Sequence, residues 1–267
     1  MDNRLPEILV PILESYTFQV NQQLPGFLST LYVVGSIALD EFNPHFSDVD
    51  FIAVTSHLAT EEEIKTLLEI HQKVERSFPH WKLSGVYLLS FDIGKQSREI
   101  GERLVYHDGK LQPQANFEAN PVTWWILKNG GIPVLGVDPN ELSISVDESY
   151  LVTWTLGNMN TYWKGWTRQP GKLLSMLSDW VIQWTVLGVA RQFYTVREKK
   201  VITKQRAGEY LLTVVPQKWH RIIKEAIRVR TRSAGSLYRF RMFRMLDAVK
   251  FIKFIIQTSN DYLRSII

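Results

Sequence analysis

The chain has 267 residues, 45% of them apolar and 22% charged, and it contains no cysteine. That length suits about two modest domains, and that balance excludes a disordered chain, a disulfide-stapled scaffold and a thiolate metal site. The net charge of +4 is unevenly spread: residues 1–190 carry 13 Lys and Arg against 22 Asp and Glu, whereas residues 191–253 carry 17 against 4.

Residues Pro6 to Gln23 place Leu9, Ile12, Leu13, Tyr16 and Val20 on one helix face, and Pro25-Gly26 ends that helix. Leu31–Val34 and Val49–Thr55 read as strands. Thr60 followed by Glu61, Glu62 and Glu63 is an N-cap with an acidic first turn, opening a helix to about Ser77. Val86–Leu89 reads as a third strand, with Ser84-Gly85 before it. A hairpin is expected around His107-Asp108-Gly109-Lys110, inside a less regular stretch from Ser97 to about Phe117. Pro121–Lys128 looks helical and closes at Gly130-Gly131. Ile132–Gly136 reads as a short extended piece near a junction.

Beyond Val146 the strand signals stop, and helices are expected at about 147–166, 173–197, 204–213, 217–229 and 237–263. The expected architecture is an α/β domain with a small mixed sheet over residues 1–140, then an all-α helical bundle over 141–267. The N-terminus lacks the charged-then-apolar form of a signal peptide, and runs such as Phe251–Ile256 are too short and interrupted to span a bilayer. A cytoplasmic protein without a membrane partner is therefore expected.

The stretch most loaded with chemistry runs from Gly35-Ser36 to Ser47-Asp48-Val49-Asp50. Side chains two apart on a strand share a face, so Asp48 and Asp50 project together, away from Val49 and Phe51. Two neighbouring carboxylates repel unless a cation lies between them, and hard oxygen ligands suit Mg²⁺ or Mn²⁺, which in turn hold phosphate oxygens. Gly35 lets backbone approach those phosphates. Ser36 stands at a helix start, where free N–H groups and the dipole favour an anion. A bland alternative is an Asp-rich turn opening a strand. The six histidines show no metal-ligand spacing, no Ser-His-Asp arrangement is evident, and P-loop and Rossmann fingerprints are absent.

The pattern of Gly35, Ser36, Ser47, Asp48 and Asp50 resembles the nucleotidyltransferase superfamily. Ala190–Thr195, Val201–Lys204, Ala207–Tyr210 and Val215–Trp219 look like the helical domain of bacterial aminoglycoside adenylyltransferases of the streptomycin/spectinomycin group. The resemblance covers roughly residues 28 to 230. It implies that Asp48 and Asp50 hold the divalent metal, that ATP is the co-substrate, and that Arg191 and Lys204 meet the triphosphate or its neighbourhood. It also implies a small hydroxylated, cationic acceptor of aminoglycoside type. An acidic half joined to a basic half suits a cleft that closes on a metal-bound triphosphate.

Two expected acids are missing. The family's third carboxylate, its general base for the acceptor hydroxyl, falls on Ser84 or Gly85 here, with Asp92 as a nearby acid; the acid that helps hold a cationic drug falls on Val181, with Asp179 on a different helix face. Binding nucleotide with weak or lost catalysis, as a regulatory module, is therefore the alternative function. Trp180, Trp184, Leu187, Arg191 and Tyr194 share one side of a helix, and core packing is expected of the tryptophans. The run Arg228, Arg230, Arg232, Arg239, Arg241 and Arg244, interleaved with Tyr238, Phe240 and Phe243, reads as a solvated helix with inward aromatics. It is the feature through which a third reading, transfer to RNA or protein, would operate.

Overall fold

The computed structural model describes residues 2–115 and 119–266. They divide into two compact units, Met1–Val146 and Asp147–Ile267.

In the first unit, helix α1 (Val10–Gln23) precedes strand β1 (Leu28–Val33), the single turn α2 (Gly35–Ala38) and strand β2 (Val49–Thr55). Helix α3 (Glu61–Ser77) starts at Thr60, whose hydroxyl accepts the Glu63 N–H while the Glu63 carboxylate accepts the Thr60 N–H. This reciprocal cap satisfies donors that the first turn otherwise leaves open. Strand β3 (Leu83–Leu89), helix α4 (Ser97–Ile100) and strands β4 (Glu102–His107) and β5 (Lys110–Ala115) follow, then helix α5 (Pro121–Gly130) and strand β6 (Ile132–Leu135). The sheet order is β5-β4-β3-β2-β1-β6. Only β2 and β3 pair in parallel, through the crossover helix α3; the other neighbours are antiparallel.

One expectation for the sheet changes. Ser84 and Gly85 lie inside β3, because that strand pairs with β2 along its whole length. The short extended piece expected at Ile132–Gly136 is the edge strand Ile132–Leu135, which pairs with β1. The hairpin forms as expected: Asp108 and Gly109 both take positive φ (49° and 73°), the geometry that lets two residues reverse an antiparallel pair. The end of the Ser97–Phe117 stretch, residues 116–117, lies outside the described residues. One sheet face packs on α1 and α3: Leu31, Val33, Val49, Phe51, Ala53, Leu83, Tyr87 and Tyr106 are buried there with Leu13, Tyr16, Leu67 and Ile70. The alternate residues, Asp50, Ser84 and His107 among them, face the other way.

The second unit is helical. Helix α6 (Glu148–Asn158) runs into a π-helical turn at Met159–Trp163, and helices α7 (Pro170–Ser175), α8 (Asp179–Glu198), α9 (Lys204–Val214), α10 (His220–Arg230) and α11 (Arg241–Ile266) follow. The single helix expected over 173–197 is two. Ser178 takes an extended backbone (φ −76°, ψ 151°) and its hydroxyl accepts the Val181 N–H, so α8 restarts there with its own cap. α11 begins at 241 rather than 237, because Ser236 Oγ and the Leu237 N–H are bound to Glu225 and hold that segment out of helix. Ile182, Val186, Leu187, Val189, Ala190 and Phe193 of α8 form the middle of this core, against Leu211, Ile222, Ile223, Phe251, Ile252 and Ile255. Among the described residues, no helix is long and apolar enough to cross a membrane.

Candidate active site

The geometry of the first unit's site starts where β1 stops. Val34 is extended and its N–H donates to the Asp50 carbonyl (2.9 Å), continuing the ladder one residue past β1. Gly35 then turns to φ +65°, a region that costs any residue with a Cβ. A Cβ there would also overlap the Asp50 carboxylate, so two independent constraints select glycine. The helix it opens, α2, is one turn of four residues, so any anion preference rests on its open N–H groups more than on a summed dipole.

Ser36 Oγ donates to Ser47 Oγ (2.9 Å), which also accepts the Asn43 N–H (3.1 Å). The Ser47 N–H donates to the Asn43 carbonyl (2.8 Å). These bonds fix the turn that delivers the chain into β2. Asp48 is exposed just before the strand and Asp50 is half-buried within it, while Val49 and Phe51 are buried between and after them. The structure therefore brings Gly35, Ser36, Ser47, Asp48 and Asp50 to one end of the sheet.

Among the described residues, no group of three or more His, Asp or Glu side chains is placed to hold a metal unaided. Two carboxylates beside a glycine cradle suit a small hard cation that keeps part of its shell as water and phosphate oxygen, as Mg²⁺ does.

The third strand settles which of Ser84 and Gly85 faces this site. Asp50 pairs in register with Ser84, and Phe51 with Gly85. Gly85 lies on the core face, where a Cβ would run into the Phe51 carbonyl and ring. Ser84 is 6% exposed and is the neighbour of Asp50, with its Oγ 3.0 Å from Nδ1 of His107. Sequence reasoning missed His107, although the Asp108-Gly109 turn signal fixes it as the last residue of β4. Asp92 is held away from the site. Its buried carboxylate takes a two-pronged ion pair from Arg103 (2.8 and 3.0 Å) and the Leu89 N–H (2.9 Å).

In the second unit, Arg191 is half-buried on α8, and Lys204 is the half-buried first residue of α9, after its cap Thr203. Val181 packs against the helical core, and Asp179 pairs with the buried guanidinium of Arg244 (2.6 Å). The tryptophans depart from simple core packing. Trp184 is partly buried, while Trp180 is 50% exposed and stacks on it at 5.7 Å. Trp163, Trp166 and Tyr162 also meet the Trp184 ring, and Lys172 lies over Tyr162 and Trp166.

The arginine run meets its expectation in part: Arg232, Arg239 and Arg241 are exposed and Tyr238 is buried. Arg230 and Arg244 are buried, whereas Phe240 and Phe243 are exposed. Glu225, fully buried on α10, pairs with Arg228 (2.9 Å) and Arg244 (3.4 Å) and draws their charge inward, while the Arg230 guanidinium donates to Gln183. Burial alone would raise the Glu225 carboxyl. Hydrogen bonds from Arg228, the Leu237 N–H and Ser236 outweigh it and hold the group down at about 2.

Residues 18–107 match the family described as "Nucleotidyltransferase domain", and residues 159–239 match "Aminoglycoside adenylyltransferase, C-terminal domain". No curated protein sequence matches the chain at a significant level. Among solved structures the fold is shared with spectinomycin adenyltransferase AAD(9) from Enterococcus faecialis, solved with ATP and spectinomycin. The TM-score is 0.69 at 15% identity, covering 91% of this chain and 99% of that one. With these two domains in this order, the chain is an aminoglycoside adenylyltransferase-like nucleotidyltransferase.

Proposed function

We propose that the protein transfers an adenylyl group from MgATP to a hydroxyl of a small molecule, with an aminoglycoside-type antibiotic as acceptor. The observation that carries this reading is the placement of Asp48, just before β2, and Asp50, within it, at the end of the sheet where the glycine turn at Gly35 meets the Asp50 carboxylate. The spectinomycin adenyltransferase of the same fold, solved with ATP and its antibiotic, supports the choice of both substrates. In this reading Asp48 and Asp50 hold Mg²⁺ or Mn²⁺, which when bound supplies charge neutralisation at the nucleotide phosphates. Gly35 and Ser36 lie along the phosphates, and Ser47 fixes the turn that presents Asp48. Residues 1–140 act as the catalytic domain. Residues 141–267 contribute Arg191 and Lys204 to the triphosphate.

The deciding experiment incubates purified protein with MgATP and a panel of hydroxyl acceptors led by spectinomycin and streptomycin, and reads pyrophosphate release. Acceptor-dependent release supports the reading, and MgATP binding without release to any acceptor overturns it in favour of a nucleotide-binding module. That second reading rests on one observation, a serine where an acid would complete the site. The assignment of Lys204 has its own test. Charge-assisted contacts to phosphate are worth roughly 1.5–3 kcal/mol each, so Lys204→Ala is expected to weaken ATP about tenfold or more relative to adenosine. Equal weakening of both ligands would place Lys204 outside the phosphate site.

A further inference from the structure

We infer that Ser84 and His107 together form the proton-accepting device of this site, with His107 as the terminal base. The inference rests on the adenylyl-transfer reading and names the group that the reading leaves without a residue.

Asp50 on β2 pairs with Ser84 on β3, and the pairing of Gly85 with Tyr106 puts His107 opposite Ser84 on β4. Because register partners in adjacent strands point to the same face, Asp50, Ser84 and His107 make a row across three strands. The row lies opposite the buried face to which Phe51, Leu83 and Tyr106 belong. The end of the row at Asp50 is where the nucleotide phosphates are proposed to sit.

A serine hydroxyl alone takes up no proton near neutral pH, but this one is not alone. Ser84 Oγ and His107 Nδ1 are 3.0 Å apart, and the serine is almost fully buried. In the tautomer with the ring proton on Nε2, Nδ1 accepts the serine proton. The His107 ring is about half exposed, at 52%, with room to receive a proton and pass it to water. Asp108 lies 3.5 Å from Nε2 and is 88% exposed. Asp92 does not compete for the role, since its carboxylate is clamped by Arg103.

The acceptor hydroxyl oxygen forms a bond to the α-phosphorus of ATP, the bond from that phosphorus to the bridging oxygen breaks, and pyrophosphate leaves. The acceptor's proton passes to Ser84 Oγ as the serine's own proton passes to His107 Nδ1. No oxidant or further reactant is needed.

The test compares wild type with Ser84→Ala, His107→Ala and the double variant. Pyrophosphate release from MgATP is measured with spectinomycin, with streptomycin and with water alone as acceptor. General-base assistance is worth about 10²–10⁴-fold, so kcat should fall by roughly 10²-fold or more in His107→Ala. The MgATP-induced rise in melting temperature should be unchanged. The double variant should be no slower than His107→Ala, because groups acting as one unit are not additive.

A purely structural role is separated by rescue: free imidazole should restore turnover to His107→Ala in proportion to its concentration, and should leave wild type unaffected. Turnover by wild type that His107→Ala leaves unchanged, or a loss that imidazole does not repair, overturns the inference while the transfer reading stands. A wild type that binds MgATP yet releases no pyrophosphate with any acceptor overturns both.

Discussion

Single residues decide whether this site can exist. Gly35 meets two demands at once, a left-handed backbone and the absence of a Cβ beside the Asp50 carboxylate. Gly35→Ala is therefore expected to cost about 1–2 kcal/mol from the backbone alone, and to blunt the response to MgATP by pushing Asp50 aside. Thermal melts with and without MgATP check this; an alanine variant matching wild type in both would remove Gly35 from the site. The same steric logic bears on restoring a carboxylate. Gly85 offers no room for one, so Ser84 is the position on the Asp50 face where an acid would belong. Gly35 and the two aspartates were legible because their chemistry is written in short spacings. His107 was not, because it meets Ser84 across 23 residues and only through a strand pairing.

At the scale of elements, local signals such as the Thr60 cap and the Asp108-Gly109 turn set where α3 and the β4–β5 hairpin begin and reverse. What sequence periodicity could not give were the features made by distant partners. The break before α8 depends on a serine choosing to cap. The late start of α11 depends on a buried glutamate on α10 that binds the preceding segment. Each unit also buries a titratable group whose pKa is lowered on folding, His71 in the first and Glu225 in the second, and this yields an acid prediction.

His71 on α3 is buried against Tyr106, its ring stacked at 3.6 Å, and shares a hydrogen bond of 2.6 Å with the Tyr87 hydroxyl. Burial pushes its pKa down to about 3. Both His71 and Glu225 have folded values below their unfolded ones, so the unfolded chain binds more protons and stability falls as pH falls. For His71 the loss runs from about pH 6.5 toward 3; for Glu225 it runs from about 4.5 toward 2. His71→Phe should remove the histidine's share of the slope above about pH 5.5, where Glu225 contributes little. Glu225→Gln should cost about 3–5 kcal/mol at neutral pH, as expected when one partner of a buried ion pair is removed. Urea melts between pH 4 and 7 measure both, and an unaltered slope in His71→Phe would show that the histidine is not held neutral.

For the whole molecule, the divided charge of the chain was readable from composition, yet its consequence depended on placement. Part of the positive charge of residues 191–253 is spent internally, since Arg228 and Arg244 are bound to Glu225. Counting basic residues therefore overstates what that half can offer to a polyanion. At the other end of the charge balance, Asp48 is exposed just before β2 and Asp50 is half-buried within it. If they hold the metal of MgATP, ligand binding and folding are linked. A ligand that binds only the folded state stabilises it by RT ln(1 + [L]/Kd), about 2.7 kcal/mol at a hundredfold excess over Kd. MgATP should accordingly raise the melting temperature of wild type, and Asp48→Asn combined with Asp50→Asn should abolish that rise. An undiminished MgATP shift in the double variant would take both aspartates out of the nucleotide site, and a collapse of the ligand-free fold would make them structural groups instead.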